Sequence, residues 1–397
     1  MNEQTIKEKQ YIEKGVGHSR AKLYDLAILC FKQALEINPE NASTYNEIGM
    51  AYAYKNEMNL AQEAFKKSLQ IDPKFFKSYN NLGLTYYKTD KYEEAIECFN
   101  KAIYEESSNH TLYSNLGDVY FALKNYDKAL IFYFKALEFN KEDSQVYYNI
   151  ALASYEKNDL ELAVQYYEKA LVLNPSKPAY YNELGRTYYK KGDIESAKMN
   201  LEKSIQIDDK NEWAYSNLGN IFYYNKKDSD TALEYYKKAA EINPNYGWAF
   251  YNMGNTYFDK ENYDKAIEYH LKALESNPQN ASFSNEIARS YYKKGDYDLA
   301  LEFWEKTHAL NSKNEWINTN LGHIYFHHKH DHEKAIEYYI EAQKINPNNG
   351  WAFYNLAYVY HYTKNINLAL KNIDKAIELD ATNPKFQSLW EKIREEI

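Results

Sequence analysis

Glycine and proline are scarce: 397 residues hold 13 glycines and 8 prolines. A protein of many short strands needs more turn residues than this. The scarcity therefore argues against a sandwich or barrel and suits helices joined by short corners. No run approaches the roughly 20 apolar residues of a membrane helix, which excludes membrane insertion. The segment Met1–Lys14 is polar and lacks the apolar centre of a secretion signal, so a cytoplasmic protein is expected. No basic stripe is present either. Lysines and glutamates are mixed throughout, the net charge is -9, and nucleic acid is not the expected main partner. Only two cysteines occur, Cys30 and Cys98, and both read as reduced, small apolar fillers.

What is present is a repeat, rich in tyrosine (43 residues). Length alone would suggest two or three globular domains. Self-similarity overrides that reading. The phrase at 34–39, Ala-Leu-Glu-Ile-Asn-Pro, returns in variant form near 68, 102, 136, 170, 204, 239, 273, 307, 342 and 376. The spacing is 34 residues, twice 35. Eleven units tile residues 8–383, starting at 8, 42, 76, 110, 144, 178, 212, 247, 281, 315 and 350. Residues 1–7 are expected as an N-terminal tail and 384–397 as a capping helix.

Each unit reads as two amphipathic helices. The first carries an aromatic at repeat position 4, Leu or Ile at 7, Gly or Ala at 8 and Tyr at 11, all on one helical face. The second carries Ala at 20, an aromatic at 24 and Ala or Ser at 27. Position 20 is alanine in every unit, from Ala27 to Ala369, because a larger side chain would push the paired helices apart. Six of the eight prolines fall at position 32, where they end a helix. The end units differ from the others. Lys14 and His18 replace apolar residues in unit 1, and Phe386, Leu389, Trp390, Ile393 and Ile397 share one face of the final helix.

This pattern resembles the tetratricopeptide repeat. The resemblance implies an all-α solenoid, a right-handed superhelix of about eleven helix-turn-helix repeats, with the first helices lining the concave side. It also implies that groove-forming residues sit at positions 2, 5, 6, 9, 12 and 13. Position 6 is asparagine in seven units: Asn81, Asn115, Asn149, Asn217, Asn252, Asn320 and Asn355. An amide offers a donor and an acceptor, so it can pair with any peptide backbone. The column is similar to the asparagine ladder of the O-linked N-acetylglucosamine transferase superhelix. Against this stands the reading that such asparagines only bond between neighbouring repeats.

Glutamate interrupts the column at Glu13, Glu47, Glu183 and Glu286. Two of these precede basic pairs, Arg186 with Lys190 and Arg289 with Lys293, on the same face. They read as a charged pocket or, the favoured reading, as an internal ion pair. Tyr251 and Tyr354 at position 5, and Trp213, Trp248, Trp316 and Trp351 at position 2, add aromatic surface of the kind that dominates interaction hot spots. Units 6–8 and 9–11 also match at an offset of 103, as from a duplicated three-repeat block.

His323 and His327, four apart, share a helix face that His361 could join, but no cysteine or carboxylate completes a metal site. No cofactor and no catalytic machinery is expected. The expectation is a non-catalytic scaffold or adaptor holding an extended segment of a partner protein in its concave groove. Its rivals are a self-associating homo-oligomer without a peptide ligand, and a sensor of a small molecule or signalling peptide.

Overall fold

The computed structural model describes residues 3–396. The fold is an all-α helical-repeat solenoid, and the chain divides into two compact units, Met1–Ile207 and Asp208–Ile397. The first unit holds six helix pairs: Glu3–Arg20 with Tyr24–Ile37, Ala42–Tyr54 with Met58–Ile71, Phe76–Lys88 with Tyr92–Glu105, His110–Ala122 with Tyr126–Phe139, Ser144–Glu156 with Leu160–Leu173, and Pro178–Lys191 with Ile194–Ile207. The first helix starts at Glu3, so residues 3–7 are helical rather than a tail.

The second unit opens with Glu212–Asn220, continued by a π-helical turn, Ile221–Lys226, and paired with Ser229–Ile242. Then come Gly247–Asp259 with Tyr263–Ser276, Ala281–Lys294 with Tyr297–Leu310, Glu315–His327 with His332–Ile345, Gly350–Tyr362 with Ile366–Leu379, and a closing helix, Pro384–Arg394. No helix among the described residues is long and apolar enough to cross a membrane.

Helix ends follow the local chemistry. Asparagine and aspartate side chains cap helix N-termini, as where Asn41 accepts from the Thr44 amide at 3.0 Å. Each position-32 proline directly follows a C-cap residue, such as Asn38 before Pro39, and the other two, Pro178 and Pro384, open helices. The corner inside every repeat contains one residue in the left-handed region. Only two are glycine, Gly192 and Gly295; the rest include Lys22, Asn56, Asp90, Lys124 and Lys364, at φ near +60°. The following amide usually bonds back five residues, as from Glu57 to the Tyr52 carbonyl. Units 7 and 10 carry one extra residue, and there the bond reaches back six, from Asp228 to Phe222 and from Asp331 to Tyr325. In unit 7 the extra residue winds the last turn into a π-helix.

The core repeats with the sequence. All eleven position-20 alanines are fully buried. Where position 8 is glycine the position-24 side chain, usually a ring, lies against it: a Cβ at Gly49 would lie 2.5 Å from the Phe65 ring. Burying such a ring stabilises by about 2–3 kcal/mol. In the closing helix Phe386, Leu389 and Ile393 are buried against Ile373 and Ala376, with Trp390 partly covered; Ile397 lies outside the described residues. Both cysteines are free, and burial pushes the Cys98 thiol up to about 12.

Candidate functional site

The column of asparagines is engaged between repeats. Asn81 Nδ2 donates to Asn46 Oδ1 at 2.9 Å, and Asn115 Nδ2 to Asn80 Oδ1 at 2.8 Å. Asn149 Nδ2 donates to Asp118 Oδ1 at 3.0 Å, and Asn252 Nδ2 to Asn220 Oδ1 at 3.2 Å. Each time a position-6 amide reaches a position-5 or position-9 acceptor one repeat earlier. Asn320 differs: its Nδ2 is buried without a hydrogen-bond partner among the described residues. Asn217 and Asn355 are half-buried at the equivalent place.

The acceptors at positions 5 and 9 were missing from the sequence reading. Asp118 also receives the Tyr133 hydroxyl at 2.7 Å, and burial pushes its carboxyl up to about 6 despite both hydrogen bonds. Asn220 likewise receives Tyr236 at 2.9 Å, and Asn255 meets His270 Nε2 at 3.2 Å. A signal for this existed. Where position 24 is Tyr133, Tyr236 or His270, position 9 is polar; where it is Phe65 or Phe99, position 9 is Met50 or Leu84.

The two glutamate–arginine sets are ion pairs within one helix. Arg186 Nη1 lies 2.8 Å from Glu183 Oε2, and Arg289 Nη1 lies 2.7 Å from Glu286 Oε2. Asn182 and Asn285 donate to the other oxygens at 3.1 Å. Burial raises both carboxyls above their ordinary value, opposed by the arginines. Each guanidinium also covers an aromatic ring of the preceding repeat. Arg186 stands 4.6 Å and Lys190 4.4 Å from the centre of Tyr155; Arg289 stands 4.5 Å from that of Phe258. Lys293 is exposed.

The tryptophans remain open to solvent, at 55% for Trp213, 46% for Trp248 and Trp316, and 43% for Trp351. All four belong to the second unit. Each touches a neighbouring ring edge-on: Trp213 meets Tyr246, Trp248 meets Phe283, Trp316 meets Trp304, and Trp351 meets Phe386. Tyr251 and Tyr354 are half-buried instead. Tyr251 packs 5.4 Å from Phe283, and Tyr354 stacks 5.3 Å from Phe386. In the first unit Tyr148 stacks on Tyr180 at 4.8 Å, a third contact in the same 103-residue phase.

His323 and His327 do lie together, with ring centres 4.2 Å apart. Burial and the neighbouring histidines push His323 down to about 4. His361 does not join them, because its Nε2 is engaged by Glu396 at 3.0 Å. Among the described residues, no group of three or more histidines, cysteines or carboxylates is placed to hold a metal ion.

Four tetratricopeptide-repeat family models match the chain, at 76–142, at 247–280, at 49–90 with 152–192, 185–226 and 222–260, and at 9–41 with 317–349 and 352–383. No curated protein sequence matches it. Among solved structures, the human IFIT1 dimer with m7Gppp-AAAA is similar at a TM-score of 0.56 and 17% identity, covering 90% of each chain. Yeast Tom70 is similar at 0.47 and 16% identity, covering 99% of this chain and 97% of that one. YrrB, a TPR protein with an unusual peptide-binding site, is similar at 0.40 and 26% identity, covering 46% of this chain and 95% of its own. At 17% identity the likeness to IFIT1 speaks to the fold alone, and the other two, with TM-scores under 0.5, carry no argument. The repeats matched across most of its length, with the helix pairs that they form, show that this chain belongs to the tetratricopeptide-repeat family.

Proposed function

We propose that this protein is a non-catalytic interaction scaffold that holds an extended peptide segment of a partner along its first helices. The observation that carries this reading is the row of tryptophans at position 2, each about half exposed although large and apolar. Rigid aromatic surface with a polar handle is what interaction hot spots use. The asparagine column has a narrower role than a ladder of free amides. One N–H of Asn81, Asn115, Asn149 and Asn252 holds the neighbouring repeat, so a peptide backbone meets what the amide has left, a second N–H and the carbonyl. Arg186 and Arg289, about 40% exposed over their rings, offer a charged edge beside it. The net charge of -9 favours a protein over a nucleic-acid partner, and the free cysteines fit a cytoplasmic setting.

The test is selection of peptides from a displayed random library against the whole chain, followed by fluorescence anisotropy with the selected peptides. Trp248→Ala combined with Asn252→Ala is expected to weaken binding more than tenfold, measured well below a melt that the lost Asn220 and Phe283 contacts lower. Equal binding by wild type and variant would move the site off this face.

A further inference from the structure

The second unit ends in an open cleft of about 710 Å³ between the first helix of the last repeat, Gly350–Tyr362, and the closing helix, Pro384–Arg394. Tyr354, Tyr358 and His361 line it from the repeat, Lys364 from the corner, and Lys385 and Lys392 from the closing helix. None of its lining residues is acidic. Lys385 stands over the Trp351 ring at 5.4 Å, and neither it nor Lys392 makes an ion pair among the described residues. Three lysines and a histidine thus line one cleft with tyrosine rings between them, Lys385 beside Trp351 at one end and His361 and Lys364 at the other, in a chain whose net charge is negative.

One carboxylate already reaches this cluster. Glu396 Oε1 lies 3.0 Å from His361 Nε2, and its Oε2 lies 3.2 Å from Lys364 Nζ. A carboxylate can only accept, so His361 presents an Nε2–H to it. Glu396 stands just beyond the closing helix, and its side chain is 38% exposed. Hydrogen bonds from Lys364 and His361 hold the Glu396 carboxyl below its ordinary value. The arrangement shows how a single carboxylate docks here, through an exposed ion pair to Lys364 and a hydrogen bond from His361.

We infer that this cleft binds a carboxylate side chain of an acidic peptide segment, and that Glu396 occupies part of the site as an internal competitor. The inference rests on the peptide-scaffold reading and names the chemistry of one end of that peptide. Lys385 and Lys392 meet the incoming carboxylates, the tyrosine rings cover the aliphatic stems, and displacement of Glu396 frees His361 and Lys364. Because Glu396 belongs to the chain, its competition does not depend on protein concentration.

The test is fluorescence anisotropy with fluorescein-labelled hexaglutamate, with hexaglutamine as the neutral control and tetra-adenylate as competitor. Glu396→Gln is expected to tighten hexaglutamate about two- to fivefold, the size of one exposed ion pair. Lys385→Glu with Lys392→Glu is expected to weaken it more than tenfold. Lys237→Glu, an exposed lysine in an earlier repeat, should change it little once the melts are matched. Three results would overturn the inference: no tightening in Glu396→Gln, equal losses from the cleft and control reversals, or tetra-adenylate binding better than hexaglutamate. Library-selected peptides that need Trp248 and Asn252 but ignore Lys385 and Lys392 would leave the scaffold standing and remove this site alone. The reverse pattern would remove the tryptophan row and keep the cleft.

Discussion

The Glu183–Arg186 and Glu286–Arg289 sites lie 103 residues apart and are built alike, yet their floors differ. Under the first lies Tyr167, whose buried hydroxyl has no hydrogen-bond partner among the described residues, because position 9 of its repeat is Leu152. Under the second lies His270, fully buried, with Nε2 at 3.2 Å from Asn255 and Nδ1 at 3.3 Å from Ser290. The ion pair survived divergence while the polar group beneath it was satisfied in one copy and left unsatisfied in the other. The comparison separates what the pair itself needs, a carboxylate held by arginine and asparagine, from what each floor adds.

The largest break of this comparison comes from removing the arginine. Arg289→Ala leaves Glu286, whose side chain is 10% exposed, without its cation, and is expected to cost about 3 kcal/mol at pH 8. Arg186→Ala should do the same to Glu183 within about 1 kcal/mol. Urea titration followed by tryptophan fluorescence checks both. The loss should shrink as pH falls, because burial without the arginine favours the protonated carboxyl, and a loss independent of pH would mean that packing on Tyr155 or Phe258 dominates.

Next comes His270→Phe, which sharpens the difference between the floors. Burial pushes the His270 imidazole down to about 3. Between pH 6.5 and 3 the unfolded chain therefore binds a proton that the folded chain does not, and stability falls as pH falls. The accumulated loss reaches about 2 kcal/mol between pH 6.5 and 5, and His270→Phe should remove it. Thermal melts at pH 7 and 5 check this; an unchanged difference would place the acid sensitivity elsewhere.

Two smaller effects run in opposite directions. Tyr167→Phe should be neutral or stabilising by up to about 1 kcal/mol, because it deletes an unsatisfied hydroxyl. Tyr133→Phe should cost about 1 kcal/mol, because that hydroxyl donates to Asp118. Smallest is the corner. Lys364 holds φ +61° where Gly295 holds +93°. Lys364→Gly should gain at most about 0.5 kcal/mol, less what the exposed pair with Glu396 contributes, and Gly295→Lys should lose about 0.5 kcal/mol, read as melting shifts.

The period, the paired helices and the alanine seam were legible because each is a short-range pattern. Position 20 is alanine in every unit and is fully buried in every unit. The left-handed corners were not legible, because nine of the eleven are filled by lysine, asparagine, aspartate, glutamate or histidine rather than glycine. The scarcity of glycine reflects that substitution as well as the absence of strands. Of the candidate site residues, the glutamate–arginine pairs could be read from their spacing of three on one helix. The partners of the asparagines could not, since they lie 31 to 35 residues away in Asn46, Asn80 and Asp118. His361, in the next unit, was a candidate to join His323 and His327 across the groove, but the structure gives it to Glu396.

By itself the sequence determined that this chain is a stack of tetratricopeptide repeats, because periodic small and aromatic residues admit one way of packing paired helices. Only the tertiary structure decided which polar groups on that stack stay open to a partner. A hydrogen bond between repeats needs two side chains within about 3 Å, a distance that the order of residues along the chain does not contain.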